Sequence, residues 1–322
     1  MFADDLRKSI LQAAIQGKLS EQLPTDGDAK DLLRDIQIER AKLIKQKKIK
    51  VAPLPPIKPD EIPFDIPENW QWVRLGDIVF DISDGTHNRP QYLKSGVPFL
   101  SVKDISSGYL NFSDTKFVSQ KTHDDLKKRC FPRYNDLLIT KVGSNTGIPV
   151  IVDTNREFSI FVSVALVKYP QSLLIPRYLL NVIKSPLVQK QVKDNTRGVG
   201  NKNWVIADIK KTILPLPPLA EQERIVAKVN ALLAEIEPLA EAEKELDQLE
   251  KEFPQKIKTS LLKAAIQGKL SEQLPTDGDA KDLLRDIQIE RAKLIKQKKI
   301  KAAPLPPIKP DEIPFDIPEN WQ

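Results

Sequence analysis

Leu214-Pro215-Leu216-Pro217-Pro218-Leu219-Ala220-Glu221-Gln222-Glu223-Arg224-Ile225-Val226 is the stretch on which the architecture turns. Proline fits the first turn of a helix, where its missing N–H would have no partner anyway, and Glu221 favours the positive end of the helix dipole. A helix therefore starts here, and the residues after it say how far it runs. Ile225, Val229, Leu232, Ile236, Leu239, Ala242, Leu246, Leu249, Phe253, Ile257 and Leu261 fall three or four apart, with Glu, Lys and Gln between them. That is the stripe of a coiled coil, so a spacer helix over residues 219–268 is expected to pair with another helix. Its length is about 70 Å at 1.5 Å per residue, with a kink or local break expected at Pro238 and at Pro254.

Flanking this rod is a repeat. Residues Ala13 to Gln71 recur as Ala264 to Gln322, shifted by 251 positions, and differ only at Val51, which becomes Ala302. A solenoid repeats many times at about 20 to 50 residues, whereas one block recurring once around a unique middle suggests half of a two-fold object. Within the block, Leu6, Ile10, Ala13 and Ala14 mark a first helix ending at Gly17, and Pro24 to Asp28 form a turn with an N-cap at its end. A second helix is expected from Ala29 to about Ile49, with Leu32, Leu33, Ile36, Leu43 and Ile44 as its apolar stripe. Lys42, Lys45, Lys47, Lys48 and Lys50 suit its C-terminal dipole, with phosphate contact as the alternative. Pro53 to Pro59, with Pro63 and Pro67, make a stiff extended connector.

Five regions result: a helical block at 1–52, a proline connector at 53–69, a mixed domain at 70–218, the spacer helix at 219–268, and the second copy of block and connector at 269–322. Short β-rich runs (Val97 to Val102, Asp136 to Val142, Val150 to Val152, Phe161 to Lys168) alternate in the middle domain with helical texture near Arg177 to Asp194. The fold class is α+β: one mixed α/β domain, a long coiled-coil helix and repeated short helices. Trp70, Trp72 and Trp204 read as core rather than as base-stacking platforms.

The chain has a net charge of +6 and a pI near 9.1, which raises a polyanionic partner without establishing one. No apolar run is long enough for a membrane span, and Met1-Phe2-Ala3-Asp4-Asp5 is acidic where a signal peptide is basic, so a cytoplasmic protein is expected. One cysteine, Cys130, and two histidines, His87 and His123, cannot supply a Cys/His zinc cage. An adenine methyltransferase needs an Asn/Asp-Pro-Pro-aromatic loop, whereas the Pro-Pro pairs here follow leucine. Neither Gly143-Ser144-Asn145-Thr146-Gly147-Ile148 nor Arg197 to Lys202 satisfies a P-loop. Pro59-Asp60-Glu61 lacks the lysine of a nuclease motif, and neither histidine has a motif-grade Ser or Cys partner for a triad. These absences describe a binder and a spacer rather than an enzyme.

Four fragments, one of them the stretch quoted first, specify the binder. Ile66-Pro67-Glu68-Asn69-Trp70-Gln71-Trp72-Val73-Arg74-Leu75-Gly76-Asp77-Ile78 opens the middle domain. Asp84-Gly85-Thr86-His87 follows with Gly96 to Ile105, then Asp136 to Gly147, and the 214–226 exit closes the domain. In this order, feeding a heptad helix, they resemble the specificity subunits of Type I restriction-modification systems over nearly the whole chain. The resemblance implies a non-catalytic DNA-recognition subunit whose middle domain is a target-recognition domain. A full subunit of that family has two such domains on two antiparallel spacers and reads a bipartite site; this chain has one. Two copies are therefore expected to pair head to tail through Ile225, Val229, Leu232, Ile236, Leu239, Leu246, Leu249, Phe253 and Ile257 and to read an inverted repeat. The implied partners are double-stranded DNA, a second copy, modification subunits carrying S-adenosylmethionine, and restriction subunits using ATP and Mg; no cofactor is expected in this chain.

Base edges demand donors and acceptors on loops, and phosphates demand cations and small hydroxyls. Thr86, His87, Asn88 and Arg89 form one candidate loop, Lys141, Ser144, Asn145 and Thr146 a second, and Arg197, Asn201, Lys202 and Asn203 a third, with Lys103, at the end of an apolar strand, as a further candidate. Each loop also reads as an ordinary tight turn or local cap. An autonomous DNA-binding regulator and a coiled-coil scaffold without sequence-specific binding remain the alternatives at this point.

Overall fold

A computed structural model describes residues 2–50, 52–198, 202–301 and 306–322. It divides into two compact units, one ending at Ala240 and one running from Glu241 to Gln322.

The first unit begins with α1 (Phe2–Ile15) and α2 (Ala29–Lys45). Asp28 caps α2 as expected, its side chain accepting from Lys30 N, and Gly17 follows α1 at φ +70°, held under the ring of Pro67 where a Cβ would lie 2.5 Å from Cγ. The helix ends at Lys45 rather than Ile49, because Lys47 takes a left-handed φ of +55° that an α-helix cannot continue. The connector carries no helix or strand beyond a 3-10 turn at Pro59–Glu61, and it ends in a turn at Glu68 and Asn69 closed by Trp70 N donating to Pro67 O.

The middle domain follows in the order β1 (Gln71–Arg74), α3 (Leu75–Ile78), β2 (Asp81–Asp84), β3 (Val97–Leu100), β4 (Lys116–Val118), α4 (Gln120–Lys127), β5 (Leu137–Thr140) and β6 (Pro149–Ile151). It continues through β7 (Ser159–Ile160), β8 (Val164–Lys168), α5 (Pro176–Lys184), α6 (Pro186–Asn195), α7 (Ile206–Lys211) and β9 (Ile213–Leu216). Its largest sheet runs β2-β8-β5-β6, all antiparallel, and a second runs β4-β3-β7 with β3 and β7 parallel. β1 pairs antiparallel with β9, so the entrance and exit of the domain are clamped together.

The four expected strands exist; three are shorter, with Val102 turning into a 3-10 segment and a turn at Phe161 to Ser163 preceding β8, and the fourth, β6, is shifted by one residue. The expected helical texture is two helices broken at Ser185, whose hydroxyl caps the second. Strands β1, β2, β4, β7 and β9 and helices α3, α4 and α7 lie outside the runs singled out from sequence. Among the described residues the nine strands are each five residues or fewer, too short for a period-2 pattern to rise above composition.

α8 (Leu219–Ile266) is continuous through Pro238 and Pro254. Each proline removes one i to i−4 hydrogen bond, and the flanking bonds carry the helix past it, so the expected breaks do not occur. The stripe divides by position. Ile225, Val229 and Ile236 are buried within the first unit, and Leu232 and Leu239 are half-buried there; Leu246, Leu249, Phe253 and Ile257 are exposed in the second unit. Expectation therefore needs correcting at Ile225, Val229 and Ile236, which face their own domain. α8 also begins inside the compact unit, and the 1–52 block packs into that unit instead of standing apart.

Glu221 ties these parts together although it is fully buried. Its Oε2 accepts the Trp70 indole N–H at 2.7 Å and its Oε1 accepts Ser20 Oγ and Gln22 Nε2, both at 2.8 Å. A buried carboxylate persists only when hydrogen-bonded in this way, so one side chain couples the repeated block, the domain entrance and the start of the rod. Trp70 and Trp204 are core, as expected; Trp72 is half-buried with its ring edge-on to Phe64 at 5.1 Å. In the second unit, α9 (Ala280–Lys296) repeats the sequence of α2 and buries none of it.

Candidate nucleic-acid interface

Three loops far apart in sequence meet at one place because of the pairing just described. The β2 edge leads into Gly85, where an added Cβ would lie 1.9 Å from Ile160 O, so only glycine lets β2 cross so close to β7. Thr86 N then donates to Ile160 O (3.2 Å) and Val162 N to Thr86 O (3.0 Å), which pins the 86–89 loop to the turn before β8. That turn holds the second loop, since Lys141 N donates to Ser163 O at 2.9 Å. The second loop holds the third: Gly143 N donates to Lys202 O (2.9 Å) and Trp204 N to Lys141 O (2.8 Å), with bridges Val142 to Asn203 and Arg197 to Asn203.

Asp84 is the electrostatic centre. Buried at the end of β2, its Oδ2 lies 2.9 Å from Lys141 Nζ; its Oδ1 lies 3.0 Å from Arg129 Nη2 and 3.4 Å from His87 Nε2. Lys141 is 5% exposed, so the ammonium expected to contact phosphate is turned inward and serves to brace two loops. Burial in a low dielectric is tolerable for it only because Asp84 is there. Arg129 and His87 are exposed on the outer side of the same carboxylate.

The remaining candidates divide by what they touch. Asn88 and Arg89 project outward from an ST turn in which Asn88 N donates to Thr86 Oγ1, and Arg89 has no ion-pair partner among the described residues. Ser144 and Asn145 are exposed at the tip of the second loop, while Thr146 turns back to donate to Gly143 O at 2.7 Å. Gly143 at φ +102° makes that tip possible. Lys202 is exposed; Arg197 is exposed and paired to Asp208 at 3.0 Å; Asn203 is half-buried in its two bridges. Asn201 lies outside the described residues. Lys103 points to Asp114, 2.8 Å away, and their hydrogen bond lowers the carboxyl pKa and raises that of the ammonium. It is not among the hydrogen bonds and ion pairs that join the three loops.

Two chemistry-bearing clusters are closed to substrate. His123 is fully buried between Ser159 Oγ, 2.8 Å from Nδ1, and Glu157 Oε2, 2.9 Å from Nε2, a triad-like set not visible from sequence. Ser159 sits inside β7 at 1% exposure, so no substrate carbonyl reaches it, and the set reads as a satisfied core histidine. Burial pushes the Cys130 thiol up to about 12, which keeps it protonated and unreactive. No group of three or more metal-ligating side chains occurs among the described residues, and no described helix is long and apolar enough to cross a membrane.

Asp84 and Arg129 are the residues that sequence reading missed. They are separated by 45 positions and joined only through the fold, so no local motif announces them.

Residues 67–250 match the family described as the Type I restriction modification DNA specificity domain, and the chain belongs to that family. It is similar to the EcoAI specificity subunit of Escherichia coli, 31% identical over 98% of this chain and 60% of that one, and to the EcoEI specificity subunit of the same organism at 28%, with the same coverage. The chain therefore spans about 60% of the length of these relatives. Among solved structures it is similar to the HsdS subunit from Thermoanaerobacter tengcongensis, with a TM-score of 0.43 at 20% identity, over 83% of this chain and 57% of that one.

Proposed function

We propose that this chain is the DNA-recognition subunit of a Type I restriction-modification enzyme and performs no catalysis itself. On this reading it works as two copies that read an inverted repeat with an unspecified gap, and it directs adenine methylation and restriction by other subunits. The observation that carries the reading is the convergence of the three loops around Asp84, with Arg89, Asn88, Ser144, Asn145 and Lys202 outward, in a chain of this family. Lys141 becomes a positioning residue in this account. The cofactors belong to other subunits: S-adenosylmethionine with the modification subunits, which must take the adenine out of the helix, and ATP and Mg with the restriction subunits.

Selection of bound sequences from a random duplex library by the purified chain, with and without modification subunits, tests the reading. The expected result is one sequence-selective site whose affinity falls steeply with salt, because neutralised phosphates release counterions. Binding that is equal on all sequences refutes recognition. Arg89→Ala should cost about 1–3 kcal/mol on the selected site and little elsewhere if it reads a base edge, whereas a phosphate contact weakens all sequences alike.

Rod length should set the gap between half-sites. Inserting four helical residues after Leu249, in the exposed part of α8, adds about 6 Å and should widen the gap by roughly two base pairs at 3.4 Å each. A gap unchanged by the insertion rejects the rod as the ruler.

A further inference from the structure

The repeated block adopts one internal structure in both places. Ala29 N donates to Asn69 O and Ala280 N to Asn320 O, both at 2.9 Å; Leu23 N and Leu274 N donate to Asp26 Oδ2 and Asp277 Oδ2, both at 2.8 Å. Gly17 and Gly268 sit at φ +70° and +66° under the rings of Pro67 and Pro318. The surroundings differ completely. Ile15, Leu32 and Ile36 are 1%, 8% and 0% exposed, whereas the same residues in the second copy, Ile266, Leu283 and Ile287, are 55%, 63% and 53% exposed. The block thus takes its shape without a cover, and its second copy presents a folded apolar face of known complement.

That complement is visible on the first copy. Arg40 donates to Gly76 O at 2.8 Å and to Asp77 O, and Gln37 Nε2 donates to Asp77 O at 2.8 Å. Arg224 grips Asp26 at 2.6 Å, and Glu221 takes the Trp70, Ser20 and Gln22 donors. Every block residue in this set recurs: Arg291, Gln288, Asp277, Trp321, Ser271 and Gln273. A surface made by Gly76, Asp77, Glu221 and Arg224 therefore fits either copy of the block.

We propose that the C-terminal block is a second plug for this seat, and that in an assembly of two copies it exchanges with the N-terminal block on the seat of the other copy. This rests on the two-copy reading above. Exchange replaces each of the contacts named above by its twin, so they do not decide it; the local concentration of the second block does, and assembly raises that concentration. Swapping of identical elements is a low-cost route of this kind.

Amide exchange read by mass spectrometry on the full chain tests the proposal. Ile289→Val, at an exposed position, separates α9 peptides from those of α2 by mass. At concentrations where native mass reads two copies, α9 amides should exchange about tenfold more slowly than after dilution to one copy, with a matching loss of protection in α2. Arg224→Glu with Asp277→Lys should move protection to α9, and Arg224→Glu with Asp26→Lys should return it to α2. A two-copy mass with α9 exchange unchanged by dilution and by both charge pairs overturns the exchange and leaves the two-copy reading standing. A one-copy mass at every concentration overturns that reading as well, and protection of α9 in a one-copy species places the plug on its own chain and refutes the proposal.

Discussion

Asp84→Ala is expected to lower the unfolding free energy by about 3–5 kcal/mol and to abolish sequence-selective DNA binding. Removing the carboxylate leaves the Lys141 ammonium buried with no counter-charge, and breaking a buried pair from one side has a cost of about that size. Arg129 and His87, being exposed, lose little by comparison, because water replaces the partner. The cost therefore comes almost wholly from Lys141, and Asp84→Ala with Lys141→Met should recover most of the stability. DNA selectivity should not return with it, because the brace between the 86–89 and 141–147 loops is still missing. Urea midpoints of the three proteins decide the matter: a single variant as stable as the parent, or a double variant no better than the single, contradicts the assignment of Asp84.

Trp70→Ala should cost about 3–5 kcal/mol in the first unit, through the cavity left by a 2% exposed indole and the loss of a donor to buried Glu221. Trp70→Phe keeps much of the packing and loses only the N–H, so about 1–3 kcal/mol is expected, with Ser20 and Gln22 still serving Glu221. The chain carries its own control. At dilutions where the chain is a single copy, Trp321 in the same place of the second block is half-buried and no carboxylate among the described residues receives its indole, so Trp321→Ala should there cost less than about 1 kcal/mol. Equal losses at the two tryptophans would show that the seat contributes nothing to the energetics of the first block.

How much of this was legible in sequence depended on distance along the chain. Periodicity announced α8, and Asp28 and Gly17 announced the ends of the block helices, because caps and apolar stripes are local devices. The α+β class followed from those helices together with the short β-rich runs of the middle domain. The strand order did not, since β1 pairs with β9 across the whole domain and no short strand states its partner. The candidate loops were visible as loops, yet the inward turn of Lys141 was not, because its partner Asp84 reads locally as the first residue of a tight turn. Glu221 looked like a residue suited to a helix dipole and proved to be a buried acceptor for Trp70, 151 positions away. Pro238 and Pro254 misled for the opposite reason: a local rule predicted breaks that a 48-residue helix absorbs. The heptad positions Ile225, Val229 and Ile236 showed the same limit, since a stripe says that a face is covered and not by what.

On the function proposed above, two recognition domains, one from each copy of this chain, read one site. Native mass of the chain bound to its selected duplex tests this most directly. Two copies on one duplex whose sequence is an inverted repeat are expected, while one copy bound to an asymmetric sequence refutes the two-copy reading.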